Sequence, residues 1–278
     1  MITPAPHPFV VFAGNVAPLT SILLTLSPLP TLLSVPRADS VGFDDDDDDD
    51  KVSLLPSSTS APKNPTSKVT IASLPLLPYS SMAVNGSLWL MYGLLLQAKP
   101  LIFPNAVGAC LAISYIFLFA LKSSPREGGR HFDMSRKMAA PPPSLWTRID
   151  LPSTFRTHLT VGTSILILGF TCLKGGLRNQ LAALATLVCG VMFISPLAKI
   201  GSIVKNKSCP PGAIPLPFTV ATAVNCFLWS VYGIKGVKDI AVTAPNVFGL
   251  FCAFTQAIVV FLYSPKGKGK GSIAIELP

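Results

Sequence analysis

The 278-residue chain is half hydrophobic and only 13% charged, with a mean hydropathy of +0.54. Soluble globular domains carry about 25% charged residues, so this composition indicates a membrane protein. The net charge of +9 does not indicate nucleic-acid binding, because the basic residues lie in the loops between apolar segments and form no single stripe.

Seven apolar segments are candidates for membrane-spanning helices, which need about 20 apolar residues each. They are residues 10–35, 75–96, 101–121, 158–174, 180–204, 213–234 and 241–263. Prolines interrupt the first segment. The fourth is short and carries none of the paired motifs found in the others.

The second and third segments repeat the pattern of the sixth and seventh. The matched pairs are Asn85 with Asn225, Trp89 with Trp229, Tyr92 with Tyr232, and Pro104-Asn105 with Pro245-Asn246. The two asparagines of the first copy are 20 residues apart, and those of the second copy are 21 apart. Ser27-Pro28 in the first segment likewise matches Ser195-Pro196 in the fifth.

This duplication predicts an all-α membrane protein with seven transmembrane helices, arranged as two parallel three-helix repeats joined by a linker helix (3+1+3). The single unmatched helix gives both repeats the same direction in the membrane, so they are parallel. The predicted divisions are a first repeat (1–121), a cytoplasmic loop (122–157), the linker helix (158–174), a second repeat (180–263) and a cytoplasmic tail (264–278).

Residues 36–74 form an insertion in the first repeat. It contains seven consecutive aspartates and a stretch rich in Ser, Pro and Thr. Such a segment cannot bury enough apolar surface to order itself, so we expect disorder there and flexible segments at 122–157 and 264–278. Calcium binding is not favoured, because a bare Asp run lacks the turns and spaced oxygens of a Ca²⁺ site.

Lysine and arginine in the loops predict the orientation of the chain, because they favour the cytoplasmic side. With the N-terminus outside and the C-terminus inside, 17 basic residues are cytoplasmic and five are external. We therefore expect an integral membrane protein in this orientation, with the plasma membrane as its location. The sequence leaves open whether the chain forms a homo-oligomer.

Catalytic and ion-coupling residues are missing from the predicted helices. None of the 13 acidic residues lies in the middle of a predicted helix, where coupled carriers bury an ionisable group. No nucleophile, nucleotide or zinc motif is present, and the six cysteines are scattered. We therefore expect no enzyme activity, cofactor or metal, which leaves a passive carrier for a neutral solute.

Four prolines fall at matched depth in the two repeats, toward the predicted cytoplasmic side: Pro28, Pro78, Pro196 and Pro215. Each is expected to remove one helix hydrogen bond and clash with the preceding turn. Membrane helices tolerate prolines, but four at matched positions favour a set of hinges. Pro217 competes with Pro215 for the place in the sixth helix.

Asn105 and Asn246 lie several residues inside the third and seventh helices. A buried amide is costly unless it is hydrogen-bonded. The simpler interpretation is a hydrogen bond between helices, worth about 0.6–2 kcal/mol. The functional interpretation is a pair of amides that offer donors and acceptors to a polar, uncharged ligand.

Trp89 and Trp229 are the expected walls of that pocket. Aromatic faces pack against the C–H face of a sugar ring, while amides bind its hydroxyls. Tryptophans also line membrane interfaces, but their matched placement beside matched asparagines favours the site. Asn85 and Asn225 lie one turn earlier and are expected to serve in packing or as secondary lining.

The combined pattern resembles the SWEET sugar-transporter family over nearly the whole chain except 36–74 and the loops. The resemblance implies that Asn105, Asn246, Trp89 and Trp229 bind substrate, and that the four prolines form a hinge tetrad. It also implies that Tyr92 and Asp239 close an outer gate and that Gln256 belongs to an inner gate. Two features depart from the family pattern: the long first insertion, and the bulky Trp89 where plant relatives often carry a small residue.

We therefore expect a bidirectional facilitative sugar transporter that works as a uniporter by alternating access. Two tryptophans narrow the pocket, which favours glucose or a similar monosaccharide over sucrose. The alternatives are a seven-helix membrane receptor or trafficking adaptor of related fold, which would need a charged pocket, and a carrier of another neutral solute. The expected partners are a small-molecule sugar and the lipid bilayer, without nucleic acid.

Overall fold

The computed structural model describes residues 7–35, 76–123, 153–192, 194–210 and 213–264, and within these ranges every regular element is helical. The elements are α1 (Pro8–Leu26), α2 (Leu29–Ser34), α3 (Leu77–Leu96), α4 (Lys99–Ser123), α5 (Ser153–Lys174), α6 (Arg178–Met192), α7 (Ile194–Asn206), α8 (Leu216–Val231), a π-helical segment (Tyr232–Val237) and α9 (Ile240–Tyr263). The all-α prediction is confirmed. The whole insertion (36–74), most of the 122–157 loop and nearly all of the tail lie outside the described residues.

Five described helical stretches are long and apolar enough to cross a membrane. They are Pro8–Ser34, Lys99–Ser123, Phe155–Lys174, Leu216–Val237 and Ile240–Tyr263. The 20-residue α3 falls outside this group because Ser80, Asn85 and Ser87 interrupt its apolar run. These spans confirm the membrane-protein prediction.

The first predicted segment is divided at Pro28. Helix α1 ends at Leu26, and Pro28 is the residue that caps the start of α2. Proline cannot donate the backbone hydrogen bond that would continue α1. The fifth predicted segment corresponds to α6 and α7, which lie on either side of residue 193, outside the described part of the chain.

Helices α1–α4 form the first bundle, and α6–α9 with the π-helical segment form the second. In the first bundle, α4 packs against α1, α2 and α3, and in the second, α9 packs against α6, α7 and α8. Gly86 allows α3 to approach α4 closely, since a Cβ there would lie 3.2 Å from the Ala109 nitrogen. The Lys122 ammonium of α4 donates to the carbonyls of Leu32, Leu33 and Val35, which stabilises the end of α2.

The bundles meet where α1 packs against α8 and α3 packs against α6, while α5 packs against α3 and α6. A large apolar cluster at one end of the molecule draws residues from both bundles. This shared cluster includes Ala13, Ala17, Leu88, Trp89, Tyr92, Leu101, Leu181, Trp229 and Val242. It lies where α3 ends and α9 begins, which we call the Asp239 end.

Two smaller clusters lie at the opposite end, which we call the Pro28 end. One is built from the first bundle and α5 and includes Leu32, Tyr79, Tyr115 and Phe155. The other belongs to the second bundle and includes Ile203, Ile214 and Val259. The apolar packing therefore joins the two bundles at the Asp239 end, whereas each cluster at the Pro28 end contains residues of only one bundle.

The π-helical segment explains the one-residue difference between the repeats. Tyr92 is five residues before Gln97, whereas Tyr232 is six residues before Lys238, and both Gln97 and Lys238 have a positive φ of 53°. From those residues to Pro104 and Pro245 the spacing is equal. A π-helical turn accommodates one extra residue in a helix, so the insertion is located between Tyr232 and Lys238.

Candidate functional site

Asn105 and Asn246 occupy equivalent positions, each directly after a proline inside a long helix. The Asn105 amide donates to the Leu101 carbonyl at 2.8 Å, and the Asn246 amide donates to the Val242 carbonyl at 2.7 Å. Within the described chain this leaves each amide oxygen and a second N–H able to bind a ligand. Leu101 and Val242 both belong to the shared cluster, so the two amides adjoin it from opposite bundles.

Trp89 and Trp229 also belong to the shared cluster and are 8% and 5% exposed. Each indole packs edge-to-face on the tyrosine three residues later. The ring centroids of Trp89 and Tyr92 are 5.7 Å apart at 84°, and those of Trp229 and Tyr232 are 5.7 Å apart at 79°. The structure therefore places both predicted tryptophans in one cluster between the bundles, with matched geometry.

Two hydroxyl residues of α1 bind the Trp229 side of the site. Trp229 Nε1 donates to Ser21 Oγ at 2.8 Å. Asn225 Oδ1 accepts from Ser21 Oγ and from Thr20 Oγ1, both at 2.8 Å. These bonds join the first bundle to the second. Thr20 and Ser21 were not among the predicted site residues, although a Thr-Ser pair inside an otherwise apolar helix was a signal for them.

Tyr92 and Asp239, the predicted outer-gate residues, meet at the Asp239 end. Tyr92 Oη donates to Asp239 Oδ2 at 2.8 Å. Asp239 also caps α9, because its Oδ1 accepts from the backbone amides of Ala241 and Val242. The contact links α3 of the first bundle to α9 of the second.

Arg178, which in the sequence is indistinguishable from an ordinary loop charge, is a third member of this contact. Its guanidinium donates to Asp239 Oδ2 as an ion pair and to Tyr92 Oη at 3.4 Å. Burial acts to raise the pKa of Asp239, but the hydrogen bonds from Tyr92, Arg178 and the two backbone amides outweigh it and hold that pKa below its ordinary value. The bonds to Tyr92 and Asp239 raise the pKa of Arg178 further. Asp239 is therefore a carboxylate at neutral pH.

Gln256 bonds within its own bundle in this structure. Its Oε1 accepts from Thr219 Oγ1 of α8 at 3.3 Å. Gln256 is on α9 and lies toward the Pro28 end, where the clusters of the two bundles are separate. Its role in an inner gate stays a prediction.

Each of the four prolines was expected to remove a hydrogen bond inside a helix. This expectation is wrong for Pro78 and Pro215. Pro78 lies in the first turn of α3, and Pro215 is the residue that caps α8. A proline at a helix start removes no intrahelical bond, because the first N–H groups of a helix have no partner there. Pro28 separates α1 from α2, and Pro196 lies within α7. Pro217 lies in the first turn of α8.

A family model described as "Sugar efflux transporter for intercellular exchange" matches residues 66–126 and 179–268, more than half of the chain. The first stretch contains α3 and α4, and the second contains α6 to α9 apart from the first residue of α6. The matched stretches include the predicted asparagines, tryptophans and gate residues.

Curated relatives carry the same kind of name. "Sugar transporter SWEET1" of Rattus norvegicus is 28% identical over 204 residues, which cover 71% of this chain and 79% of the relative. "Sugar transporter SWEET1" of Dictyostelium discoideum is 25% identical over 199 residues, covering 72% and 82%. "Bidirectional sugar transporter SWEET8" of Arabidopsis thaliana is 24% identical over 211 residues, covering 72% and 79%.

The fold matches a solved structure titled "The 3.7 A resolution structure of a eukaryotic SWEET transporter". The TM-score is 0.60 at 18% identity, and the match covers 91% of this chain and 95% of the other. At this identity the match establishes the arrangement of the helices.

Proposed function

The chain belongs to the SWEET family of sugar transporters, and from that premise we propose that it is a bidirectional uniporter for glucose or a similar monosaccharide. The observation that carries this proposal is the pair of Asn–Trp sets adjoining the shared cluster. Asn105 and Trp89 belong to the first bundle, and Asn246 and Trp229 belong to the second. Amides suit sugar hydroxyls, and indole faces suit the C–H face of the ring.

The preference for a monosaccharide rests on the two tryptophans. Both indoles are nearly fully buried between the bundles. Two tryptophans leave less space for a ligand between the bundles than a site with one tryptophan and one small residue would. The arrangement therefore favours a single sugar ring over a disaccharide.

Alternating access is supported by the difference between the two ends. The Asp239 end is closed by the shared cluster and by the contact of Tyr92 and Arg178 with Asp239. The bundles have separate clusters at the Pro28 end. Rocking of the predicted repeats, 1–121 and 180–263, would break the contacts at the Asp239 end and bring the two bundles together at the Pro28 end. Pro28, Pro78, Pro196 and Pro215 are the proposed hinges, with Gln256 at the inner gate.

We place the Asp239 end outside and the Pro28 end in the cytoplasm, with the plasma membrane as the location. The distribution of lysine and arginine supports this orientation. The closed contacts then form the outer gate. Asp239 is paired with Arg178 at that gate. No acidic residue lies in the middle of a described helix, where it could bind a coupling ion.

Uptake of radiolabelled glucose in hexose-transport-deficient cells tests the proposal. We expect glucose to enter down its gradient at a rate that a protonophore leaves unchanged. Accumulation against the gradient that collapses with the protonophore would contradict a uniport mechanism.

Asn246→Ala tests the site in the same cells. The variant removes the amide on the second bundle, so we expect loss of glucose uptake while the protein still reaches the membrane. Asn206→Ala is the control, because Asn206 is an exposed residue at the end of α7. Unchanged uptake by Asn246→Ala would refute the assigned site.

A further inference from the structure

The two equivalent Asn–Trp pairs differ in their hydrogen bonds. On α8, Asn225 Oδ1 and Trp229 Nε1 are both bonded to α1 hydroxyls. On α3, Asn85 Oδ1 is buried and has no hydrogen-bond partner. The Trp89 indole N–H also makes no hydrogen bond to any residue in the described part of the chain. The Asn225 oxygen and the Trp229 N–H are therefore both bonded, whereas the Asn85 oxygen and the Trp89 N–H are both unused.

The reason lies in the helix that packs against each pair. Helix α1 packs against α8, and α6 packs against α3. Ser21 is six residues before Ser27, and the residue six before the matching Ser195 is Cys189. Val188 stands in the place of Thr20. Helix α6 therefore lacks hydroxyls at these positions, and a thiol is only a weak donor.

A buried acceptor without a donor carries its full desolvation cost. Native proteins leave few such groups, and each one requires a specific explanation. Asn85 lies one helical turn before Trp89, so both residues are on the face of α3 that contributes to the shared cluster. A ligand that supplies hydroxyl groups at this face would satisfy both.

We propose that Asn85 and Trp89 determine sugar specificity by hydrogen bonding: Asn85 Oδ1 accepts from a sugar hydroxyl, and the Trp89 N–H donates to a sugar oxygen. Trp229, whose N–H is bonded to Ser21, presents only its ring face. The sugar therefore makes more hydrogen bonds to the first bundle than to the second. This inference rests on the proposed function and assigns Asn85 a binding role, where the sequence suggested packing or secondary lining.

Asn85→Leu tests the inference, because leucine has a similar size and removes the unpaired oxygen. We expect the KM for glucose transport to rise about tenfold, while the thermal midpoint of the purified protein stays the same or rises. Asn225→Leu is the matched control. It removes the acceptor through which Asn225 bonds Thr20 and Ser21 of the other bundle, so both hydroxyls turn to the Ala17 carbonyl of their own helix. Loss of this contact between the bundles should lower the thermal midpoint.

Cys189→Ser adds the hydroxyl that α6 lacks and provides a second variant with little change in volume. If that hydroxyl bonds Asn85 as Ser21 bonds Asn225, the KM for glucose should rise as in Asn85→Leu. A series of monodeoxyglucoses locates the contact. The wild type should discriminate against one analogue, and Asn85→Leu should lose discrimination for that analogue alone.

The outcomes separate the two proposals. If the wild type transports no monosaccharide, the proposed function fails. If the wild type transports glucose while Asn85→Leu keeps the same KM and the same deoxyglucose profile, the role of Asn85 is overturned and the proposed function stands.

Discussion

At the scale of single residues, Ser21 joins the two bundles beside the shared cluster. Its hydroxyl accepts from the Trp229 indole and donates to Asn225, so it fixes the indole of one bundle from a helix of the other. A serine in an apolar helix usually bonds the carbonyl four residues earlier, and Ser21 Oγ also lies 3.0 Å from the Ala17 carbonyl. The Thr-Ser pair in the sequence therefore does not show whether Ser21 bonds its own helix or a residue of the site.

Ser21→Ala should raise the KM for glucose several-fold and lower the stability by about 1–3 kcal/mol, because it leaves the buried Trp229 N–H unpaired. Ser21→Thr should restore both properties. Ser87→Ala is the control, since among the described residues the Ser87 hydroxyl bonds only the Ala83 carbonyl of its own helix. Equal effects of Ser21→Ala and Ser87→Ala on KM would contradict a positioning role for Ser21.

Arg178→Gln should weaken the closed outer gate. Arg178 is half exposed, so its pair with Asp239 contributes about 1 kcal/mol, or about a fivefold shift toward outward opening. Labelling of a cysteine placed at Ala241, in a background without the native cysteines, measures that shift. Lys235→Gln is the control, since Lys235 is an exposed cation at the same end. Unchanged labelling in Arg178→Gln would remove Arg178 from the gate.

The gate should also be insensitive to physiological pH. The pKa of Asp239 is lowered in the closed state, so its contribution is complete above the ordinary aspartate pKa of about 4 and is lost as pH falls through the lowered value. Labelling at Ala241 should be constant between about pH 5.5 and 7.5. A titration within that range would show that another group controls the gate.

At the scale of helices, the close contact between the π-helical segment and α9 depends on Gly233. A Cβ at Gly233 would lie 2.5 Å from Thr243 Oγ1 and 3.1 Å from the Thr243 nitrogen. The π-helical turn accommodates the one extra residue of the second repeat. The sequence spacing predicted an extra residue, but its location required the positive-φ residues Gln97 and Lys238.

Gly233→Ala should lower the stability by about 1–3 kcal/mol, because the methyl group overpacks against the α9 backbone. Gly201→Ala is the control: apart from its own helix, no described residue has an atom within 4 Å of its Cβ position in α7, and alanine favours a helix by about 1 kcal/mol. Thermal unfolding in detergent distinguishes the two variants. A stable Gly233→Ala protein would contradict the close packing of the π-helical segment on α9.

At the scale of the whole molecule, the apolar segments were enough to predict the all-α membrane fold. The matched Asn, Trp and Pro positions were visible because these residues are rare in apolar helices. The sites that depend on contacts between bundles were harder to predict. Arg178 looks like a loop charge until α6, α3 and α9 meet, and the different hydrogen bonds of Asn85 and Asn225 depend on which helix packs against each.

Tracer counterflow in liposomes containing the purified full-length protein tests the central claim, that one sugar site alternates between the two sides of the membrane. Liposomes preloaded with unlabelled glucose should take up labelled glucose with a transient overshoot, both with and without a protonophore. Asn246→Ala liposomes should show none. The absence of an overshoot with folded wild-type protein, or an overshoot that requires a proton gradient, would contradict the claim.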